Sequence, residues 1–149
     1  MKTYTFGEDQ YLLVLERGED ILRSIIEFAK EKKLEAASFQ GIGAVNPARL
    51  GQYDYDMKNY RVVEVKGALE VTSLIGNIAL RDGVPFAHAH MTVSNQEGRV
   101  FGGHLLEDSV CALTMEIEIR DLKGKLERTL DPRFKLGLLY DPPGSGDSE

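Results

Sequence analysis

The 149-residue sequence contains no tryptophan, one cysteine and only three histidines, and these scarcities close off several classes of protein. A lone cysteine, Cys111, can form no disulfide within the chain and no cysteine-rich zinc site. The fold must then rest on buried apolar surface, which one domain of this length can supply. A reducing, cytoplasmic setting is the matching expectation. No apolar run approaches the roughly 18 residues of a membrane-spanning helix. The opening MKTYTFGEDQ also lacks the basic stretch and apolar stretch of a secretory leader, so a soluble protein with no membrane partner is expected. Positive charge is short as well: 18 Lys and Arg against 24 Asp and Glu leave a net charge of -6. Non-specific nucleic-acid binding is driven by clustered cations that neutralise phosphates. The densest basic group here, KEKK at positions 30–33, falls at the end of a predicted helix.

What is present is the balance of an ordinary globular domain, 42% hydrophobic and 28% charged. YLLVL (Tyr11 to Leu15) is a short apolar run that predicts a buried strand. In RGEDILRSIIEFAKEKK the residues Ile21, Leu22, Ile25, Ile26, Phe28 and Ala29 recur at helical spacing. Glu19 and Asp20 precede them and Lys30, Lys32 and Lys33 follow, each sign suiting its end of the helix dipole. From there the pattern is β. AASFQGIGAV places Gly41 and Gly43 on one side of the pleat, where another backbone can approach, and Asn46-Pro47 marks a turn. GQYDYD alternates as a half-solvated strand does. Further strands are predicted in YRVVEV, ALEVTSLIGNIAL, FAHAHMTVS, RVFGGHLL and VCALTMEIEI, several joined by hairpin-length links such as RDGVP and NQEG. The predicted class is α+β: a largely antiparallel, curled sheet, tending to a barrel, with one main helix in a single domain over 1–140. The acidic Pro/Gly/Ser-rich stretch at 141–149 predicts disorder.

All three histidines, His88, His90 and His104, fall within PFAHAHMTVSNQEGRVFGGHL. Residues two apart on a strand share a face, so His88 and His90 point the same way. If NQEG is a hairpin tip centred on Glu97, His90 and His104 lie seven residues either side of it and face each other across the pair. A bulge at Gly102-Gly103 is the one feature that shifts this register. Three converging imidazoles without cysteine form the ligand set of zinc or another divalent transition metal that keeps a position open for water or substrate. The other reading is three hydrogen-bonded polar residues on a half-buried sheet face or at a subunit contact.

Glu116 and Glu118 share a face in TMEIEI and are candidates for a fourth ligand or a general base, or else form the solvated side of an amphipathic strand. GIGAV lacks the third glycine of a dinucleotide fingerprint and follows a helix, so no nucleotide cofactor is read from it. Ser109 and Cys111 have no base adjacent in sequence that would activate them.

Taken in order, LERGEDILRSIIEFAKEKKLEAASFQGIGAV, GALEVTSLIGNIAL and HAHMTVSNQEGRVFGGHL resemble the PPC family, the plants and prokaryotes conserved domain. The resemblance runs from Tyr11 to Ile119. It implies a compact α+β domain assembled as a homotrimer, and the H-x-H and Gly-Gly-His of stand-alone prokaryotic members fall here on His88, His90 and His104. Plant members lack those histidines and carry a DNA-binding AT-hook; this chain has no Arg-Gly-Arg-Pro hook. A more distant similarity of fold is to acetolactate decarboxylase, which holds zinc with histidines from an H-x-H strand and another segment. The functional expectation is a zinc-type metal protein acting on a small-molecule substrate, with hydrolysis and decarboxylation both compatible. The alternative is an oligomeric binding or regulatory module with structural histidines, of the kind associated with DNA binding.

Overall fold

In the computed structural model, residues 1–139 are described, and the disorder expected at 141–149 falls outside them. The helix α1 (Ile21–Lys32) forms where the apolar spacing predicts it. Asp20 is its N-cap: one carboxylate oxygen accepts from the Arg23 amide at 2.8 Å, and the other from the Asp108 amide at 2.5 Å. At the far end Lys33 takes a left-handed conformation (φ 55°), and the Leu34 amide closes the turn on the Ala29 carbonyl at 2.9 Å. Ile21, Ile25, Phe28 and Ala29 are fully buried. They join Leu13, Leu15, Leu74, Ile78, Met91, Ile117 and Ile119 in one core. Each fully buried side chain of this size contributes about 1.5–3 kcal/mol.

The strands are β1 (Lys2–Phe6), β2 (Gln10–Glu16), β3 (Ala36–Val45), β4 (Ala48–Asp54), β5 (Asn59–Val65), β6 (Leu69–Arg81), β7 (Val84–Ser94), β8 (Val100–Leu105), β9 (Cys111–Asp121), β10 (Glu127–Asp131) and β11 (Leu136–Leu138). They form one sheet in the order β1-β2-β9-β3-β6-β7-β8-β4-β5, with every neighbouring pair antiparallel. This path leaves β1 and β5 at its two ends, so the sheet is open and the expected tendency to a barrel is corrected. The one parallel contact among the described residues is short. β6 outlasts β3, whose pairing ends at Ala36↔Ala79, so Leu80 and Arg81 present a free edge that β10 takes up; β11 then pairs with β10.

Gly41 and Gly43 sit where β9 comes closest. A Cβ on Gly43 would lie 2.3 Å from the Thr114 carbonyl oxygen, and the register shifts around this residue against both neighbours. The alternation in GQYDYD ends as a strand at Asp54 rather than Asp56, because the Asp54 carboxylate accepts from the Asp56 and Met57 amides and turns the chain.

Candidate metal centre

Two turns fix the histidines. The β6–β7 hairpin closes through Asp82 (φ 54°) and Gly83 (φ 75°), setting Arg81 opposite Val84 and, further along, Asn77 opposite His88 and Ile75 opposite His90. The β7–β8 loop is built on Asn95, whose side-chain oxygen accepts from the Glu97 and Arg99 amides and whose own amide donates to the Arg99 carbonyl. Ser94 therefore pairs with Val100 and His90 with His104. Pairing runs unbroken through Gly102 and Gly103, so the bulge that would have shifted the register does not form.

Alternation does the rest. Ala87, Ala89, Met91 and Val93 are buried in the core, which turns His88 and His90 to the opposite face. Ring centroids are 5.2 Å apart for His88 and His90, 5.2 Å for His88 and His104, and 5.7 Å for His90 and His104. One ring nitrogen from each lies within 4.8 Å of the others. His90 is exposed, while His88 and His104 are half-buried. The Nδ1 of His104 is buried with no hydrogen-bond partner.

Burial pushes the His104 pKa down to about 4, helped by the neighbouring imidazoles of His88 and His90 and by the Arg128 guanidinium. Burial also lowers that of His88, with Arg128 and His90 acting in the same direction. These two rings are thus neutral at physiological pH, their lone pairs free to ligate. Three ring nitrogens with no thiolate or carboxylate among them suit zinc or a similar borderline ion with a position left open.

Glu116 and Glu118 are not part of this group. The row of facing residues across the sheet runs Leu12, Glu118, Gln40, Ile75, His90, His104, Gly51. Glu118 therefore shares the histidine face but stands three strands from His90, roughly 14 Å at the usual strand spacing. It accepts instead from Gln40 Nε2 at 3.0 Å and borders an open cleft of about 620 Å³ that reaches Ile75. Glu116 lies along the same strand, opposite Ile42 and Val14. Ser109 is buried and bonded to the Arg49 backbone, and burial pushes the Cys111 thiol up, away from the thiolate.

The sequence reading missed what surrounds the rings. Tyr60 stacks on His104 with centroids 4.7 Å apart and planes at 22°. Gly51, across from His104, makes the room: a Cβ there would sit 2.7 Å from Tyr60 Cδ1. On the other side Asn77 Oδ1 accepts from Arg128 Nη2 at 2.6 Å. Arg128 comes from β10, a five-residue strand with too little apolar alternation to be read from sequence.

The model of the Plants and Prokaryotes Conserved (PCC) domain matches residues 2–123. The chain belongs to that family. A plant- and prokaryote-conserved protein of Pyrococcus horikoshii is 38% identical, with a TM-score of 0.82 over 93% of this chain and 98% of that one. A protein of Archaeoglobus fulgidus described as metal-containing is 36% identical, with a TM-score of 0.82 over 95% and 100%. A protein of Bacteroides thetaiotaomicron named as a candidate DNA-binding protein is 25% identical, with a TM-score of 0.87 over 92% and 94%. A Staphylococcus aureus protein described as similar to alpha-acetolactate decarboxylase shares the fold alone, at 12% identity and a TM-score of 0.56 over 83% of this chain and 56% of that one. In sequence the chain is 32% identical over 124 residues to the bifunctional protein GlmU of Synechococcus sp. strain JA-3-3Ab. It spans about a fifth of the length of the curated relatives it matches. Arg128 lies beyond the residues matched by the PCC model.

Proposed function

We propose that this PCC-domain protein binds a divalent transition metal, zinc or a close relative, through His88, His90 and His104, and that the open position serves a small molecule. The observation that carries the reading is the approach of the three ring nitrogens to within 4.8 Å. A 36% identical neighbour described as metal-containing supports it. Bound there, such an ion supplies Lewis acidity to a ligand oxygen or lowers the pKa of a bound water toward roughly 7. The chain's own part is to hold the His88 and His104 imidazoles neutral and to wall the site with Tyr60 and Arg128. Hydrolysis and decarboxylation are the reactions this chemistry suits.

The proposal includes a homotrimer. Ile42, Ile75 and Leu113, 60%, 62% and 74% exposed, leave apolar surface that assembly would cover, and β1 and β5 are unpaired edges. A second reading, an oligomeric module for nucleic acid, draws on the DNA-binding name of the Bacteroides thetaiotaomicron neighbour. The net charge of -6 opposes it.

The experiment is elemental analysis by emission spectrometry on wild type and His90→Ala, with light scattering on the same samples. Wild type is expected to hold close to one metal ion per chain and the variant at least tenfold less, both at three times the chain mass of 16.6 kDa. Equal metal content in His88→Ala, His90→Ala, His104→Ala and wild type would refute the site, and a 16.6 kDa monomer the trimer.

A further inference from the structure

Arg128 is a buried cation with no anion beside it among the described residues. Its side chain belongs to a residue only 7% exposed. Nη1 donates to the Gly137 carbonyl at 3.1 Å and Nη2 to Asn77 Oδ1 at 2.6 Å, both neutral acceptors, and Nε is buried with no partner. The guanidinium carbon lies 5.6 Å from the centroid of Phe86, and the same ring carries a second guanidinium, that of Arg81, at 4.2 Å. No ion pair engages Arg128 among the described residues, whereas Arg133, on the same hairpin, has Asp131. Burying a charge is costly unless a counter-charge meets it, so the missing element is negative.

Its place says what kind of anion. Asn77, which holds Nη2, is the cross-strand partner of His88, so the guanidinium stands at the edge of the histidine cluster. A divalent ion held by the three imidazoles would, with a guanidinium beside it and no carboxylate among its ligands, leave an accumulation of positive charge. An oxyanion spanning the two would relieve it, and the planar fork of arginine suits carboxylate and phosphate alike. We propose that Arg128 is the anion-binding residue of this site and that the small molecule taken by the histidine centre carries a carboxylate or phosphate group. The inference deepens the metal-site reading, but the unpaired arginine stands independently of it.

The test is calorimetric titration of the full-length protein, as purified with its metal, against pyruvate and separately inorganic phosphate, with chloride at matched ionic strength as the control. Wild type is expected to bind one of the two saturably. Arg128→Gln is expected to raise that Kd at least tenfold with metal content unchanged; circular dichroism checks its fold. Should Arg128→Gln not fold, Arg128→Lys carries the test: it keeps the charge, loses the fork, and is expected to weaken binding at least fivefold. No binding of either probe to wild type, or equal binding by the folded variants, overturns the proposal and leaves the metal reading intact. Arg128-dependent binding to a protein that purifies without metal leaves this inference standing and removes the metal reading.

Discussion

His104 is the residue on which most of the local physics converges. Tyr60 covers one face of its ring, two imidazoles face it, and its Nδ1 has no hydrogen-bond partner. Its folded pKa of about 4 lies below its ordinary value of 6.5. As the pH falls through 6.5, the unfolded chain takes up a proton before the folded one does. The stability this group contributes is therefore complete above about pH 6.5 and is lost progressively down to about 4. His104→Asn keeps the polarity and removes the titration. In metal-free protein, the melting temperature of wild type is expected to fall more steeply than that of the variant between these pH values, and parallel curves would contradict the assignment. The convergence was legible in the sequence because it follows from counting: alternation places His88 with His90, and a hairpin centred on Glu97 places His90 opposite His104. The walls were not legible. Tyr60 reaches His104 from β5 across β4, and Arg128 arrives from a chain segment 24 residues beyond His104. Neither placement follows from local periodicity.

At the scale of elements, the helix and most of the inner strands were legible in the sequence, because they carry both an apolar pattern and a stop signal; β4 was read from Gly51 to Asp56 but runs from Ala48 to Asp54. Asp20 shows how closely such a signal is bound to the tertiary fold. Read as one of two acidic residues suiting the helix dipole, it instead caps α1 directly and also ties down the Asp108 amide, 88 positions away. Asp108 in turn accepts from Arg23 and Arg49, which anchor the β8–β9 turn to the helix and to β4. Asp20→Ala is expected to cost about 0.5–2 kcal/mol, toward the upper end because two amides lose their acceptor. Urea denaturation checks it, and a change below about 0.3 kcal/mol would mean that water replaces the carboxylate at both amides. The strands that went unread were β1, β10 and β11, whereas the edge strand β5 was read in YRVVEV. All five residues of β1 are exposed, so no burial pattern marks it. β10 and β11 exist only because β6 runs past the end of β3, a fact about the sheet and not about their own composition.

For the whole molecule, the sheet divides the chemistry into two faces. One is closed by α1 and holds the core; the other carries the histidines, the cleft reaching Ile75, and the exposed Ile42 and Ile75. The net charge of the chain opposes non-specific nucleic-acid binding. With a net charge of -6, duplex DNA of random sequence in about 150 mM salt should bind with a Kd of about 1 μM or weaker. A fluorescence-anisotropy titration giving submicromolar affinity and a steep salt dependence would favour the nucleic-acid reading instead. The family match accounts for the fold, and the histidine centre is the feature from which function is argued. The most direct test of that centre is X-ray absorption spectroscopy at the metal edge on the purified protein. The account predicts three nitrogen ligands at about 2.0–2.1 Å with no sulfur, and their loss from His90→Ala. A spectrum containing sulfur, or one unchanged in His90→Ala, would contradict it.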